Sequence, residues 1–372
     1  MITREAVEAK VQAALRENDL DVLVAASPWN VAYTAGTSFF TQRTIPERLA
    51  LVVMARGRAP VFVFCTIEAE HARTESWITD LRGYTEFADR PIDVLADVVR
   101  ELGAAGGCIG IEKRFLVAKN YDELHEALPD AAIVEGDGVF DRMKAIKTPE
   151  EIDWLRQTIL WTDEAVATAF TAARPGDTER QVGDRMIAYC RDKGAGGLLH
   201  LALSTGPNLP RVHHEPDDTP LAPGGVLRTD FGMFWGLYVS DIARTAFVAP
   251  PRPGQRKTYQ LLEEMHQTVI AAMNPGVRAC DVYRLCAATF ERHGQPFPMP
   301  HVGHSIGHSV HENPMLHPFD QTVLEPGMVL MLEPMIPTPE GPFHTEDMIE
   351  ITAGGHRVLS RSRDWSAPLV VG

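Results

Sequence analysis

Residues 228–245 have the sequence RTDFGMFWGLYVSDIART, and this stretch decides how the surrounding chain is interpreted. Its aromatic and β-branched residues, interrupted by glycine, are typical of two strands joined by a turn near residues 234–236. Asp230 lies in the first strand, and Asp241, eleven residues later, lies in the returning strand. Such a hairpin brings both carboxylates to one sheet face, where they repel each other unless a cation lies between them. The alternative to a cation site is structural: one aspartate caps a turn and the other pairs with Arg244.

Four of the 14 histidines of the chain fall within residues 300–314, PHVGHSIGHSVHENP. These four are His301, His304, His308 and His311. Gly303 and Gly307 favour tight turns or close backbone approach over a continuous helix. The H-E-x-x-H pattern of zinc proteases is absent from this segment. A cluster of this density favours metal binding or proton transfer over a purely structural role.

Two further carboxylates lie in apolar surroundings. Residues 330–336, LMLEPMI, place Glu333 in the middle of an apolar run, and residues 343–352, FHTEDMIEIT, place Glu346 ahead of alternating apolar positions. An ionised carboxylate is costly to bury without a partner. A buried glutamate paired with an arginine is the alternative in each case, and no arginine lies close by in sequence.

Taken together, these residues predict a site for two divalent cations. Four carboxylates and one imidazole suit hard or borderline ions such as Mn²⁺, Co²⁺, Fe²⁺ or Zn²⁺, and four negative charges balance two such ions. A pair of ions can activate a water molecule and polarise a carbonyl, which is the chemistry of amide hydrolysis. The predicted metal ligands are Asp230, Asp241, His304, Glu333 and Glu346.

The rest of the chain predicts two domains, since 372 residues exceed what one hydrophobic core usually supports. Up to about residue 140, short apolar runs alternate with helical patterns, which indicates an α/β domain. The strand-like runs are residues 21–26, 50–55, 60–65, 107–112 and 131–136. A long helix is expected to begin at Thr148, a good N-cap that Pro149 follows, and to run toward Ala173. Beyond it, helical patterns and glycine-linked strand pairs predict an α+β domain with an antiparallel sheet.

The composition disfavours several classes of partner. The 35 basic and 50 acidic residues give a formal net charge of -15, which disfavours nucleic acid and anionic membranes. No run reaches the roughly 20 apolar residues of a membrane span, and the N-terminal stretch lacks a signal-peptide pattern, so a cytoplasmic protein is expected. The five cysteines are odd in number and show no C-x-x-C spacing, which predicts buried free thiols.

Six short segments of the chain resemble a known family. In chain order they are D-F-G, Y-V-S-D-I-A-R-T, V-G-H-S-I-G, V-H-E, L-E-P and E-D-M. They are similar to the pita-bread metallopeptidases, the superfamily of Xaa-Pro dipeptidase, aminopeptidase P and creatinase (peptidase family M24). The segments A-I-K-T-P-E-E-I and S-P-W-N-V-A-Y-T-A-G extend the resemblance over nearly the whole chain. It implies an α/β creatinase/prolidase-type N-terminal domain at residues 1–143 and an α+β pita-bread catalytic domain at residues 144–372. The implied activity is metal-dependent cleavage of the Xaa-Pro bond of dipeptides or short peptides.

The resemblance also implies roles for single residues. Asp241 and Glu346 would bridge two divalent ions (Mn, Co, Zn or Fe), Asp230 would complete one ion, and His304 with Glu333 would complete the other. Glu333 would also accept the proton of the attacking water. Two histidines match the family pattern, His213 in V-H-H-E-P before the metal aspartates and His311 after them. Both would bind substrate, stabilise the tetrahedral intermediate or shuttle protons. Further substrate-binding candidates are His301, His344 and Tyr238.

The sequence departs from the dipeptidase pattern at His344, where many relatives of this type carry an arginine two residues before the bridging glutamate. His308 also replaces a more usual aliphatic residue. The missing guanidinium weakens the case for a strict dipeptidase. A metal-dependent hydrolase or lyase of a small non-peptide nitrogen compound or osmolyte therefore stays open as the alternative. A non-catalytic peptide-binding protein and a metal-free amidinohydrolase both predict missing metal ligands, and all five are present.

The resemblance finally implies a homodimer in which the N-terminal domain of one chain borders the active site of the other. Residues 27–40 would supply aromatic side chains to that border. These are Trp29, Tyr33, Phe39 and Phe40.

Overall fold

The computed structural model describes residues 2–45 and 47–372, and within them the chain divides into two compact units after Lys144. This division lies one residue beyond the domain boundary expected from the sequence. The first unit corresponds to the expected α/β domain and the second to the expected α+β domain.

The N-terminal unit is built on one mixed sheet of six strands. Its strands are β1 (Val22–Ala25), β2 (Leu51–Ala55), β3 (Val61–Cys65), β4 (Asp80–Tyr84), β5 (Cys108–Ile111) and β6 (Ala132–Glu135). Its helices are α1 (Arg4–Glu17), α2 (Pro28–Ala35), α3 (Phe40–Thr44), α4 (Ala69–Glu75), α5 (Pro91–Glu101), α6 (Ala118–Ala127) and α7 (Asp137–Ala145), with a 3₁₀ turn at Thr66–Glu68. The strand order is β4-β3-β2-β1-β5-β6, with β1 antiparallel to β2 and parallel to β5.

Five of these six strands coincide with the apolar runs of the sequence, and β4 does not. Its sequence, DLRGY, has only one buried residue, Tyr84, so the strand carries no apolar run to reveal it. Pairing with the neighbouring strand β3, rather than local preference, makes this segment extended.

The second unit contains four helices and the remaining strands. The helices are α8 (Pro149–Ala172), α9 (Glu179–Asp192), α10 (Gln255–Ile270) and α11 (Ala279–Arg292). The first strands are β7 (Gly197–Thr205), β8 (Val226–Trp235), β9 (Tyr238–Val239), β10 (Ile242–Val248), β11 (Gly303–Ser305) and β12 (Glu312–Met315), with a 3₁₀ turn at Gly206–Asn208. The last strands are β13 (Val329–Leu332), β14 (Met335–Ile336), β15 (Phe343–His344), β16 (Asp347–Thr352), β17 (Gly355–Val358) and β18 (Leu369–Val371).

Two five-stranded sheets organise this unit. The first has the order β18-β10-β8-β7, with β9 paired to β8, and the second has the order β12-β11-β13-β16-β17. All pairs are antiparallel except β10 with β18, which are parallel. The predicted α+β class is confirmed, and the expectation of an antiparallel sheet holds apart from this one parallel edge.

Helix α8 supports the first sheet. It begins as the sequence predicts, because the Thr148 hydroxyl accepts from the Glu151 amide at 3.3 Å while the Glu151 carboxylate accepts from the Thr148 amide at 2.8 Å. Apolar residues of α8 are then buried in one core with residues of β8 and β10. This packing fixes the two strands that carry the predicted aspartates.

All five cysteines are free thiols, and only Cys108 is not fully buried. No helix among residues 2–45 and 47–372 is long and apolar enough to cross a membrane.

Candidate metal centre

The first sheet places the two aspartates side by side. Asp230 of β8 lies opposite Ala243 of β10, and Asp241 lies two residues ahead of Ala243. Asp241 directly precedes β10, and His200 Nε2 lies 2.9 Å from Asp230 Oδ1 and 3.1 Å from Asp241 Oδ1, so the two carboxylates lie close together. The predicted hairpin geometry is confirmed. The amide of Glu346 donates to the Ala243 carbonyl at 3.1 Å, which brings this glutamate to the same edge.

The second sheet supplies a histidine and a glutamate. His304 on β11 pairs with Met331 of β13, and Glu333 directly follows β13, with its amide bonded to the Val302 carbonyl at 2.9 Å. A β-carbon at Gly303 would lie 2.0 Å from the Met331 carbonyl oxygen, so only glycine permits these strands to approach. The glycine therefore serves close backbone approach, as the sequence predicted.

All five predicted ligands converge through three overlapping groups of side chains. His304 Nε2 lies 3.7 Å from Asp241 Oδ2 and 3.6 Å from Glu333 Oε1. Within each group the potential ligand atoms lie within 4.8 Å of one another. The groups are Asp241, His304 and Glu346; His304, His311 and Glu333; and His200, Asp230 and Asp241.

Several carboxylate oxygens of this cluster lack a hydrogen-bonded partner in the described part of the chain. Asp241 Oδ1, Glu333 Oε1 and Glu346 Oε1 are buried without a hydrogen-bonded donor. Among the described residues, no lysine or arginine lies within 4.0 Å of Asp230 or of any of these three carboxylates. Buried oxygens of this kind are stable only beside positive charge, so the residues fit divalent cations.

The arginine of the structural alternative has other partners. Arg244 Nε lies 2.9 Å from Asp163, and its Nη2 lies 3.0 Å from Asp347, with all three side chains buried. It also donates to the Glu346 carbonyl. The alternative that Arg244 pairs with one of the two aspartates, Asp230 or Asp241, is therefore wrong.

The crowding of negative charge alters the pKa values of these groups. Burial raises the pKa of Asp241 to about 7, and neighbouring carboxylates contribute to the rise. Burial and the Asp241 carboxylate likewise raise the pKa of Glu346. At Asp230, burial alone would raise the pKa, but the hydrogen bond and charge of His200 outweigh it and lower the pKa. Divalent cations would lower the pKa values of all three groups, because they favour the charged form.

One residue of the cluster, His200 of β7, was missed by sequence reasoning. Its Nε2 lies 2.9 Å from Asp230 Oδ1 and 3.1 Å from Asp241 Oδ1. Burial would lower the pKa of His200, but Asp241 and Asp230 outweigh it and raise the pKa to about 10. A single histidine in the apolar run LLHLALS resembles an ordinary core residue, and only the register of β7 on β8 reveals its position.

Three other histidines stand at the more open side of the cluster. His301 Nδ1 lies 3.3 Å from Glu333 Oε1, and this carboxylate raises the pKa of His301. The His311 ring centroid lies 4.2 Å from that of His304. His213 is exposed in the loop between the 3₁₀ turn Gly206–Asn208 and β8. These placements are compatible with the roles expected for all three.

Buried polar groups bind the loop that carries His213. Glu179 accepts from the Thr205 amide at 2.7 Å and lies 3.0 Å from His214 Nε2. Arg228 of β8 donates to the Val212 carbonyl. Glu179, His214 and Asp217 also form a group with metal-ligand geometry, but Glu179 is already satisfied by protein donors, so this group anchors the loop.

Two of the expected substrate-binding residues are buried. Tyr238 is 1% exposed, its hydroxyl donates to Glu151 at 3.0 Å, and its ring packs on His308 with centroids 4.2 Å apart. A role of Tyr238 in substrate binding stays a prediction, and its burial does not support it. His344 is also 1% exposed, lies 3.8 Å from Glu333 Oε2, and has its pKa lowered to about 4 by burial. It is thus a neutral neighbour of Glu333.

Comparison with known proteins agrees with this geometry. The family described as Metallopeptidase family M24 matches residues 153–353, and the family described as Creatinase/Prolidase N-terminal domain matches residues 9–146. The chain is 29% identical over 361 residues to the Xaa-Pro dipeptidase of Lactobacillus helveticus, which covers 95% of this chain and 96% of that protein. It is 26% identical over 358 residues to the Xaa-Pro dipeptidase of Pyrococcus furiosus, covering 95% and 97% of the two chains.

Solved structures give the same result. The prolidase of Pyrococcus horikoshii is similar with a TM-score of 0.83 and 25% identity, covering 97% of this chain and 99% of that chain. The X-Pro aminopeptidase of Thermotoga maritima has a TM-score of 0.86 at 19% identity, over 98% and 99% of the two chains, which shows a shared fold. The family inferred from the sequence motifs is confirmed. Since the match extends over more than half of the chain, the protein belongs to metallopeptidase family M24 and is an enzyme of that type, with a Creatinase/Prolidase N-terminal domain ahead of its catalytic unit.

Proposed function

We propose that the protein hydrolyses the Xaa-Pro bond of dipeptides or short peptides with two divalent cations. The observation that carries this proposal is the convergence of four carboxylates and one imidazole, with no lysine or arginine within 4.0 Å of the carboxylates in the part of the chain that is described. The names of the similar proteins, Xaa-Pro dipeptidases among them, support the substrate class.

The two cations would share part of their ligand set. Asp241 and Glu346 would hold both ions, Asp230 would complete one, and His304 with Glu333 would complete the other. The shared role of Asp241 is supported by its place in two of the three groups of ligand atoms. When bound, two such ions supply Lewis-acid polarisation of the scissile carbonyl and lower the pKa of water at the site.

The protein's own residues would then move the protons. Burial raises the pKa of Glu333, which makes its carboxylate a better proton acceptor than an exposed glutamate. His301 at 3.3 Å orients this carboxylate. His213 and His311, on the open side, would donate to the developing oxyanion or to the leaving nitrogen. A proline nitrogen leaves poorly from a tertiary amide, so this assistance matters for the proposed bond.

His344 bears on the length of the substrate. Burial keeps it neutral, with its pKa lowered to about 4, so it offers no positive charge to the carboxylate of a dipeptide. A guanidinium at this position would provide two parallel hydrogen bonds to that carboxylate. We therefore expect weak discrimination between Xaa-Pro dipeptides and longer Xaa-Pro peptides.

The test is turnover of matched substrates, Ala-Pro and Met-Pro against the tripeptides that extend each by one residue. EDTA-treated enzyme is reconstituted separately with Mn²⁺, Co²⁺ and Zn²⁺, and cleavage is followed by chromatography. We expect metal-dependent cleavage of both lengths, loss of activity in Glu333→Ala, and at least about tenfold slower turnover in His311→Ala. His344→Arg should lower the KM for dipeptides and leave that for tripeptides unchanged.

The proposal fails if fully metal-loaded enzyme leaves every Xaa-Pro peptide intact. Turnover of another small amide or of a non-peptide nitrogen compound by the same preparation would then establish the alternative assignment, a hydrolase or lyase of an osmolyte-like substrate.

We also propose a homodimer and a cytoplasmic location. Five free thiols are compatible with a reducing compartment. Of the four aromatic residues expected at the dimer border, Tyr33 and Phe39 are buried inside the N-terminal unit, which leaves Phe40, 67% exposed, and Trp29. Light scattering at micromolar concentration tests the dimer, and cell fractionation tests the location.

A further inference from the structure

We propose that His200 is a sixth protein ligand of the metal centre, bound through Nε2 to the ion that Asp230 and Asp241 hold. This inference rests on the proposed metal centre and not on the identity of the substrate.

The distances around Nε2 match those of a coordination sphere. Metal–nitrogen and metal–oxygen bonds of about 2.1 Å place adjacent ligand atoms of an octahedral site about 3 Å apart. His200 Nε2 lies 2.9 Å from Asp230 Oδ1 and 3.1 Å from Asp241 Oδ1. An ion bound by these two oxygens therefore lies within bonding reach of the imidazole.

Hydrogen bonding explains only one of the two contacts. A ring nitrogen carries at most one hydrogen. The contact with Asp230 is a hydrogen bond, whereas Asp241 Oδ1 is buried with no hydrogen-bonded partner although Nε2 is 3.1 Å away. A cation shared by the three groups satisfies both oxygens at once.

The backbone is shaped to present this ring. The register of β7 on β8 shifts between Leu198 and His200, and such an irregularity redirects the side chain that follows it. His200 then lies opposite Gly232, where a β-carbon would come within 2.6 Å of His200 Cε1. Any side chain at position 232 would displace the imidazole, so the ring's position depends on a glycine two residues from Asp230.

With His200 included, the ligand set becomes balanced. Asp230 and His200 serve one ion, Glu333 and His304 serve the other, and Asp241 with Glu346 is shared. Each ion then has one imidazole. The His200 side chain is 32% exposed, so it would occupy the open side of its ion, where a water molecule would otherwise bind.

The test counts imidazole ligands directly. Wild type, His200→Ala and His200→Gln are loaded with Co²⁺, and X-ray absorption spectra are compared, because scattering from the outer ring atoms reports bound histidine. We expect the alanine variant to lose one imidazole per two ions, and calorimetry to show at least about tenfold weaker binding of one ion. Glutamine keeps a hydrogen bond to Asp230 but offers no imidazole, so it should not restore the count.

His301→Ala is the matched control, since His301 also contacts a metal carboxylate, Glu333, at 3.3 Å. It should leave the imidazole count unchanged. An equal count in wild type and both His200 variants, with metal affinities within twofold, would overturn the assignment. Should the alanine variant fail to fold, the glutamine variant decides alone. Wild type that binds two ions but cleaves no Xaa-Pro peptide would contradict the proposed function and leave the His200 result standing.

Discussion

Arg244 offers a sharp test of how the metal centre is supported. Its guanidinium lies behind the cluster, paired with Asp163 at 2.9 Å and with Asp347 at 3.0 Å, and it donates to the Glu346 carbonyl. The Arg244 side chain is 1% exposed, and both aspartates are fully buried. We consider the substitution Arg244→Met, which keeps much of the volume and removes the charge.

The expected loss of stability follows from the charges left behind. Removing one partner of a buried ion pair costs about 3 to 5 kcal/mol, because the remaining charge has no counterion. Asp347 keeps Arg361 at 2.6 Å, whereas Asp163 keeps only neutral donors such as Trp365 Nε1 at 3.0 Å. Most of the loss should therefore come from Asp163. For a unit of this size, such a loss lowers the Tm by about 6 to 20 °C.

Arg228 provides a matched control on the neighbouring strand. It is also fully buried, but among residues 2–45 and 47–372 it forms no ion pair with a carboxylate, and its Nε and Nη1 have no hydrogen-bond partner there. Arg228→Met removes the hydrogen bonds of Nη2 to Ser204, Arg211 and Val212 together with a buried charge that has no ion-pair partner, so the expected loss is at most about 1 to 2 kcal/mol.

Calorimetric unfolding of the EDTA-treated proteins compares the two variants. Addition of Asp163→Asn to Arg244→Met should recover part of the lost stability, because it removes the stranded charge. Equal destabilisation by Arg244→Met and Arg228→Met, to within about 1 kcal/mol, would refute the argument, as would a double variant no more stable than Arg244→Met.

Three further predictions concern the metals and the thiols. Elemental analysis after Mn²⁺ reconstitution should find about two ions per chain, and one ion or none in wild type would contradict the dinuclear site. The variants Asp241→Asn and Glu346→Gln should each lose more metal than His311→Ala. Because burial raises the pKa of Asp241 to about 7 and also raises the pKa of Glu346, protons must leave when a cation binds, so calorimetry should show affinity rising at least about tenfold per pH unit below pH 7. A pH-independent affinity between pH 5.5 and 7 would be at odds with that proton release. Burial raises the pKa values of Cys190 and Cys286 to about 12, so neither thiol should react with maleimide at about pH 8 until the protein unfolds, as peptide mass mapping can check.

Much of the fold could be predicted because its signals are local. Apolar runs, glycine turns and the capping box at Thr148 act over a few residues, and the observed strands and helices follow them closely. The candidate ligands were visible for a similar reason, since a carboxylate such as Glu333 in an apolar run requires a partner wherever the chain folds. Strand β4 escaped because its polar sequence is extended only through its neighbour.

The sequence by itself determined the family, the two-domain α/β plus α+β architecture and the candidate set of four carboxylates and one imidazole. The tertiary structure alone decided which groups meet. It paired Arg244 with Asp163 rather than with either predicted metal aspartate, and it buried Tyr238 against Glu151. It also brought His200, 30 residues upstream of Asp230, into contact with two aspartates. These outcomes depend on strand register and burial, which arise from contacts between residues far apart in the chain, and no local pattern records them.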